Sequence, residues 1–147
     1  MANVFDAAKY ILEHCGSMST MKLQKLVYYS QAWSLAWDDA PLFEQEIQAW
    51  ANGPVVPDLF EFHKGRYCVN AKYFTSRGKG DTQELSTDQQ DTIDRVIEFY
   101  GDKSPQWLSD LTHSEEPWKQ ARRGLPDGVR GNSEITLESM VEYYGSL

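Results

Sequence analysis

The sequence predicts a mainly helical α+β fold of six to seven helices with a small β element near residues 46–50. Apolar residues recur at spacings of three and four along most of the chain, and helix-capping residues precede several of these stretches. Residues 42–50 instead alternate with a period of two, the pattern of a half-buried strand. A length of 147 residues suits one core, so we expect residues 1–147 to form a single domain.

The first helix is predicted to begin after Asn3 and to end at Cys15. Asn3 is a favourable N-cap, and Gly16 can adopt the left-handed conformation that ends many helices. Cys15 continues the apolar face of this helix, so we expect its thiol to lie in the core.

The second helix is predicted to be long and amphipathic. Ser19 or Thr20 caps its start, and an apolar stripe runs from Leu23 towards Trp37. Pro41 ends the helix, because proline disfavours helical geometry at the residue before it.

The stretch from Trp50 to Phe60 is predicted to form a buried corner around which the helices gather. A short strand over residues 46–50 leads into it. Gly53 has the backbone freedom for a sharp turn, and Pro54 fixes φ near the helical value. We therefore expect the third helix to begin at about Pro54.

Four further helices are predicted after a polar, glycine-containing loop at residues 76–81. A capping pattern at 86–90 starts one that Gly101 closes, and Ser104 with Pro105 starts the next. The third runs from Pro117 and Trp118 to about Arg123, with Thr112 or Ser114 as its cap, and the last is capped by Thr136.

The composition limits the classes of partner. The formal charge is −8, so we expect no nucleic-acid binding, which needs clustered lysine and arginine, and a basic partner suits the chain better. No apolar run approaches the ~18 residues of a membrane span, and two cysteines without a framework suit a reducing compartment. We expect a cytoplasmic protein without a membrane segment.

Histidines and cysteines offer two kinds of chemistry, and we expect neither a metal site nor a cofactor. His14, Cys15, His63 and Cys68 are possible zinc ligands, but no closely spaced pair anchors such a site. His113, three residues after Asp110, is a candidate acid or base in a small enzyme. We favour a structural role for His113 and assign no catalytic residue.

The second helix allows three interpretations. Its rings, Tyr28, Tyr29, Trp33 and Trp37, suit a platform for stacked bases, a packed core or an anchor for a partner protein. The first two helices also have the order of a helix-turn-helix, in which Lys22 and Lys25 would meet phosphates. The acidic charge and the apolar content of the second helix favour the core and the partner protein.

Five motifs, in one order across nearly the whole chain, resemble the Panacea domain of SocA-like antitoxins. They are Met21–Tyr29, Leu42–Phe43 through Ala49–Trp50, Gly53–Pro57, Val96–Gly101, and Leu111–His113 with Pro117–Trp118. The resemblance implies a compact, mainly helical antitoxin that neutralises a toxin encoded beside it by direct protein contact, in loci often associated with prophages. A variant mechanism within the family is that of an adaptor delivering the toxin to an ATP-dependent (AAA+) protease.

The resemblance divides the candidate residues into two sets. The matched residues that we expect to hold the fold are Leu23, Lys25, Leu26, Tyr28, Trp50, Gly53, Pro54, Val55, His113, Pro117 and Trp118. The residues that we expect to contact the toxin are Glu44, Glu46, Asp58, Glu61, Phe62 and Lys64. The four acidic ones belong, with Asp38 and Asp39, to an acidic group around the corner that would attract a basic toxin.

Overall fold

A computed structural model describes residues 2–147, which form eight α-helices, one 3-10 turn at Thr82–Glu84 and two short sheets. The helices are Val4–Cys15 (α1), Thr20–Asp38 (α2), Pro57–His63 (α3), Ala71–Thr75 (α4), Thr87–Tyr100 (α5), Pro105–Ser114 (α6), Glu116–Ala121 (α7) and Leu137–Tyr144 (α8). The strands are Met18–Ser19 (β1), Gln48–Trp50 (β2), Gly53–Val55 (β3) and Cys68–Val69 (β4). The predicted mainly helical α+β class is confirmed, and α4 is the additional helix.

Both sheets are antiparallel pairs that join distant segments. β1 pairs with β4, placing Met18 opposite Val69, and β2 pairs with β3, placing Ala49 opposite Pro54. Residues 133–135 run beside β2 and exchange backbone hydrogen bonds with it and with the residue before it. The β2–β3 hairpin is therefore held from the C-terminal part of the chain.

α2 is the central helix of the fold. It packs against α1, α5, α6 and α8, and every residue from Leu23 to Leu35 except Trp33 is buried. The predicted amphipathic stripe is therefore wrong for this stretch, because neighbouring elements cover all sides of the helix. One apolar core includes side chains from each of the eight helices.

Two buried glutamines on α2 form hydrogen bonds with both amide and carbonyl groups of backbone outside the helices. Gln24 accepts from Val56 N at 2.9 Å and donates to Val56 O at 3.4 Å. Gln31 accepts from the amides of Leu42 and Phe43 and donates to Phe43 O at 2.9 Å. These bonds satisfy buried backbone groups on both sides of the hairpin.

The corner at residues 50–60 is a hairpin followed by a helix. The predicted strand is observed as Gln48–Trp50, but the prediction that α3 begins at about Pro54 is wrong, because Pro54 lies in β3 and α3 begins at Pro57. Val56 is extended, with φ −92° and ψ 108°, as expected for the residue before a proline. Gly53 has φ +124°, which permits the tight turn between the strands.

α1 begins as predicted and ends differently. Asn3 caps it, with Asp6 completing a reciprocal capping box. Gly16 has a positive φ of 81°, but its ψ of −166° lies outside the left-handed helical region. Cys15 is exposed and not in the core, because the buried face of α1 stops at Leu12.

The later caps are mostly local and mostly as predicted. Ser86, Ser104 and Thr136 cap α5, α6 and α8 through their hydroxyl oxygens. The prediction that Thr112 or Ser114 caps α7 is wrong, because both hydroxyls donate to carbonyls of their own helix, α6. The single residue between α6 and α7 is the N-cap of α7, and its side chain makes no capping bond.

The C-terminal end of the loop at residues 76–81 is hydrogen-bonded to α1. Lys9 Nζ donates to Gly80 O at 3.4 Å, and Asp81 N donates to Asp6 Oδ1 at 2.7 Å. The buried carboxylate of Asp6 therefore accepts one hydrogen bond from Asn3 N in the capping box and another from the distant residue Asp81.

Candidate functional site

An open cleft of about 760 Å³ lies beside the β2–β3 hairpin. Its volume is within the range of small-molecule sites. α2, the hairpin, α3 and the segment 130–132 form its walls. The lining residues are Thr20, Met21, Gln24, Lys25, Gln48, Trp50, Ala51, Asn52, Val55, Phe60, His63, Arg130, Gly131 and Asn132.

Lys25 is the unusual member of this lining. Its side chain is only 1 % exposed, and among residues 2–147 its ammonium makes one long hydrogen bond, 3.5 Å to Pro54 O. Lys25 also forms no ion pair with any of residues 2–147. Burial lowers the pKa of Lys25 to about 8, since water no longer solvates the charged form.

Aromatic side chains form one wall of the cleft. Trp50 and Phe60 pack edge to face with ring centroids 4.9 Å apart, and Phe60 packs against His63 in the same way. The indole Nε1 of Trp50 donates to Gln48 Oε1 at 2.9 Å, which holds the ring against the hairpin. The wall is therefore apolar and fixed in orientation.

His63, the last residue of α3, contacts the buried side chain of Gln24 that binds the backbone of Val56. Its Nε2 lies 3.0 Å from Gln24 Nε2, so this ring nitrogen accepts the amide proton when the ring is neutral. Burial lowers the pKa of His63, which favours that neutral form. The side chain therefore helps to hold Gln24 on the backbone of Val56.

The other side of the hairpin rests on α7. Trp118 Nε1 donates to Trp50 O at 2.9 Å, and Arg122 Nη1 donates to Ala49 O at 3.2 Å. His113 stacks on Trp118 with centroids 4.1 Å apart. Trp118 therefore contacts the hairpin directly, and His113 packs on Trp118.

Catalysis by His113 with Asp110 requires a hydrogen bond between these two side chains, and none is observed among residues 2–147. Asp110 Oδ1 accepts from Gln106 at 2.9 Å, and His113 Nε2 is buried without a hydrogen-bond partner among residues 2–147. Burial, followed by the charge of Lys25, lowers the pKa of His113. The arrangement therefore favours a neutral ring packed on Trp118.

The predicted toxin contacts lie on two segments flanking β2 and β3. Glu44, Glu46, Asp58 and Glu61 are exposed, as is Lys64. Phe62 is half-buried and packs against Phe5 and Phe74, with centroids 5.7 Å and 4.9 Å away. The charged members are therefore accessible to a partner, whereas most of the Phe62 ring is occupied within the protein.

The four rings of α2 have different environments. Tyr28 and Tyr29 are fully buried, Trp33 is half-buried, and Trp37 is 46 % exposed. Trp37 stacks on Trp33 at 4.8 Å, and Trp33 donates to Tyr100 Oη at 3.0 Å. A helix enclosed in this way cannot enter a DNA groove, so the helix-turn-helix interpretation does not fit.

A buried carboxylate at Glu115 has no counterpart among the features predicted from the sequence. Glu115 Oε1 accepts from Tyr29 Oη at 2.7 Å and from Tyr144 Oη at 2.8 Å, and Tyr144 Oη lies 3.0 Å from Tyr28 Oη. Burial raises the pKa of Glu115, although both tyrosine hydrogen bonds oppose this shift. No local pattern indicates this network, because its hydrogen-bonded pairs are 29 to 116 residues apart.

The remaining histidine and the two cysteines have separate environments. Residues 2–147 contain no group of three or more metal-ligating side chains close enough to hold an ion. His14 stacks on Tyr10 and bonds its backbone carbonyl, while Cys15 and Cys68 are exposed free thiols. No helix of the same residues has the length and apolar character needed to span a bilayer.

Comparison with protein families identifies one match. The model of the family described as "Antitoxin SocA-like, Panacea domain" matches residues 23–119, about two thirds of the chain. Searches of curated proteins and of solved structures found no match. The matched range covers the buried part of α2, the hairpin and α3, so the resemblance noted in the sequence is confirmed.

Proposed function

This chain belongs to the Panacea-domain family of SocA-like antitoxins, and we propose that it neutralises a cognate protein toxin by binding it directly. The observation that supports this proposal is the family match over residues 23–119, which includes the central helix and the hairpin. An antitoxin of this kind needs no catalytic residue, and the packed environment of His113 is compatible with that role.

We place the first contacts with the toxin on the surface around Glu44, Glu46, Asp58 and Glu61, with Phe62 and Lys64 beside them. Four exposed carboxylates in this set attract a basic surface and raise the rate of encounter. Because these side chains are solvated, they contribute more to association rate and partner choice than to final affinity.

We place an apolar anchor on Trp37. Its ring is exposed but held by stacking on Trp33, so little side-chain entropy is lost when a partner covers it. A recess of about 470 Å³ beside the ring is lined by Asp38, Asp88 and Asp91, and also by Arg95, whose guanidinium carbon lies 5.7 Å from the ring centroid. The three carboxylates outnumber the one arginine, so the surface beside the ring suits a lysine or arginine side chain of a basic toxin.

The proposal is tested by co-expression with the protein encoded in the adjacent reading frame, in a host whose growth that protein alone arrests. We expect this chain and its His113→Ala variant to restore growth equally. We also expect the purified chain to bind an inactivated toxin at a fixed stoichiometry in isothermal titration calorimetry. Growth without any measurable complex would contradict direct neutralisation.

The adaptor mechanism is separated from direct neutralisation by the host strain. The same co-expression in a strain lacking the ATP-dependent (AAA+) proteases should still restore growth if binding alone inhibits the toxin. Rescue that disappears in that strain, with the complex still formed, would replace our proposal by delivery to a protease. Rescue that disappears with a folded His113→Ala variant would instead support catalysis.

A further inference from the structure

From the charge and shape of the cleft beside the hairpin, we infer that it binds a small organic monoanion, with the ligand's carboxylate at Lys25 and its flat apolar body against Trp50 and Phe60. This inference does not depend on the proposed antitoxin function. It concerns a ligand and a surface that the toxin contacts proposed above do not use.

The first step of the argument is the charge of the cleft. The chain has 22 acidic and 14 basic residues, yet none of the cleft's lining residues is acidic. The lining includes Lys25, Arg130 and His63. In a protein of net charge −8, a recess without carboxylates that contains a lysine and an arginine favours an anionic occupant.

The second step is that Lys25 lacks hydrogen-bond acceptors and a counter-charge among the described residues. An ammonium has three donors, and burying one is costly unless it is paired with an opposite charge. Lys25 makes one hydrogen bond of 3.5 Å and no ion pair among the described residues. A ligand carboxylate would provide both the missing acceptor and the counter-charge.

The hairpin leaves space for the end of the Lys25 side chain at Gly53. A Cβ built on Gly53 would lie 2.5 Å from Lys25 Cε and 3.1 Å from Nζ, so only glycine allows the ammonium to lie there. Thr112 Oγ1 lies on the same side, 3.2 Å from that Cβ position. Within residues 2–147, the chain therefore holds a cation under the hairpin at a site where no carboxylate neutralises it.

The third step is the shape of the apolar wall. Trp50 and Phe60 present a rigid aromatic surface, and Met21 and Val55 add apolar surface beside it. A single buried cation suits a singly charged head group, because a dianion would leave an excess negative charge in the interior. The class of ligand is therefore an aromatic or otherwise flat monocarboxylate.

The first experiment compares two probes of equal shape on the unmodified protein by isothermal titration calorimetry. We expect 2-naphthoate to bind and its neutral amide, 2-naphthamide, to bind roughly ten- to hundredfold more weakly, the loss typical of a charge-assisted hydrogen bond. Equal binding of the two probes, or no binding of the carboxylate at millimolar concentration, would overturn the inference. This comparison needs no variant and therefore does not depend on folding of a mutant.

The second experiment assigns the effect to Lys25. Lys25→Met should abolish the preference for carboxylate over amide, whereas Lys72→Met, which removes an exposed charge on α4, should retain it. In ¹⁵N-lysine NMR of the unmodified protein, naphthoate should raise the pKa of Lys25, since an anion stabilises the ammonium. An unchanged Lys25 pKa with bound naphthoate would contradict the assignment.

The same head group can come from a free metabolite or from the end of a protein chain. A short peptide that ends in phenylalanine with a free carboxylate, compared with its amidated form, separates these sources. Tighter binding of the peptide than of naphthoate would identify a protein terminus as the source, and weaker binding a small molecule. Loss of all carboxylate binding while toxin neutralisation persists would overturn this inference and leave the proposed function intact.

Discussion

The side chain of Lys25 passes Gly53 so closely that a β-carbon at that position would displace the end of the lysine side chain. A Cβ on Gly53 would lie 2.5 Å from Lys25 Cε, and Gly53 has a φ of +124° that other residues rarely adopt. The two residues therefore depend on each other: the glycine gives the lysine its space, and the lysine lies beneath the hairpin.

We predict that Gly53→Ala destabilises the protein by more than its backbone strain alone. Backbone strain accounts for about 1–3 kcal/mol, and displacement of Lys25 adds to it. Gly65→Ala is the matched control, because Gly65 also has a positive φ, +87°, but no atom lies within 4 Å of the position that its Cβ would occupy. Urea unfolding measures both, and equal losses in the two variants would show that the contact with Lys25 has no effect.

We predict that the stability difference between the unmodified protein and Lys25→Met depends on pH in the alkaline range. The pKa of Lys25 is about 8 in the folded protein, below the value of 10.5 for a free lysine, so the folded state binds fewer protons. Below pH 8 this penalty is fully present, and it disappears as the pH rises to about 10.5. The unmodified protein should therefore gain roughly 3 kcal/mol relative to the variant between about pH 7 and pH 10.5. A difference independent of pH would contradict the buried, charged lysine.

We predict that Tyr29→Phe costs about 1.5–3 kcal/mol of unfolding free energy, because it removes a hydrogen bond to the buried carboxylate of Glu115. Tyr143→Phe is the control, since Tyr143 is half-buried and its hydroxyl makes no hydrogen bond among residues 2–147. Thermal unfolding monitored by circular dichroism should show a clearly lower midpoint for the first variant only. Similar midpoints for both variants would argue against the Glu115 network as a source of stability.

We predict that Trp37→Ala weakens toxin binding roughly tenfold or more. The free energy of unfolding should fall by less than the corresponding loss of binding free energy. Trp107→Ala is a control of equal chemistry, because Trp107 is 43 % exposed but lies on α6. Titration of inactivated toxin measures the two dissociation constants. If Trp107→Ala weakens the complex and Trp37→Ala does not, the anchor lies on α6 instead.

We predict that reversing the charges of Glu44, Glu46, Asp58 and Glu61 to lysine slows association with the toxin. The rate should fall several-fold at low salt and little at high salt, because ions screen exposed charges. Stopped-flow mixing at two ionic strengths measures this. Reversal of Glu98, Asp102, Glu138 and Glu142, which are exposed elsewhere and change the net charge by the same amount, provides the control, and an equal effect there would indicate only the net charge.

Several local features could be predicted from the sequence because neighbouring residues determine them. Asn3, Ser86, Ser104 and Thr136 cap their helices as expected, since a cap needs only its own side chain and the amides two or three residues on. The helical α+β class follows from the same periodicity.

The errors occur where distant segments override a local preference. Cys15 follows the apolar face of α1 but extends beyond its packed part, and Pro54, whose fixed φ suits the start of a helix, pairs with Ala49 across a hairpin. The cleft requires α2, the hairpin and residues 130–132 to meet, which no spacing along the chain indicates.

The sequence by itself determined the helical class, the family and the acidic character, because periodicity, motif order and charge are properties of the chain alone. Only the tertiary structure decided that Lys25 is a buried cation without a counter-charge among the described residues and that Glu115 is a buried carboxylate shared by two tyrosines. Burial and partnership depend on which segments meet in space. A lysine or a glutamate therefore has the same sequence pattern whether it is solvated or enclosed.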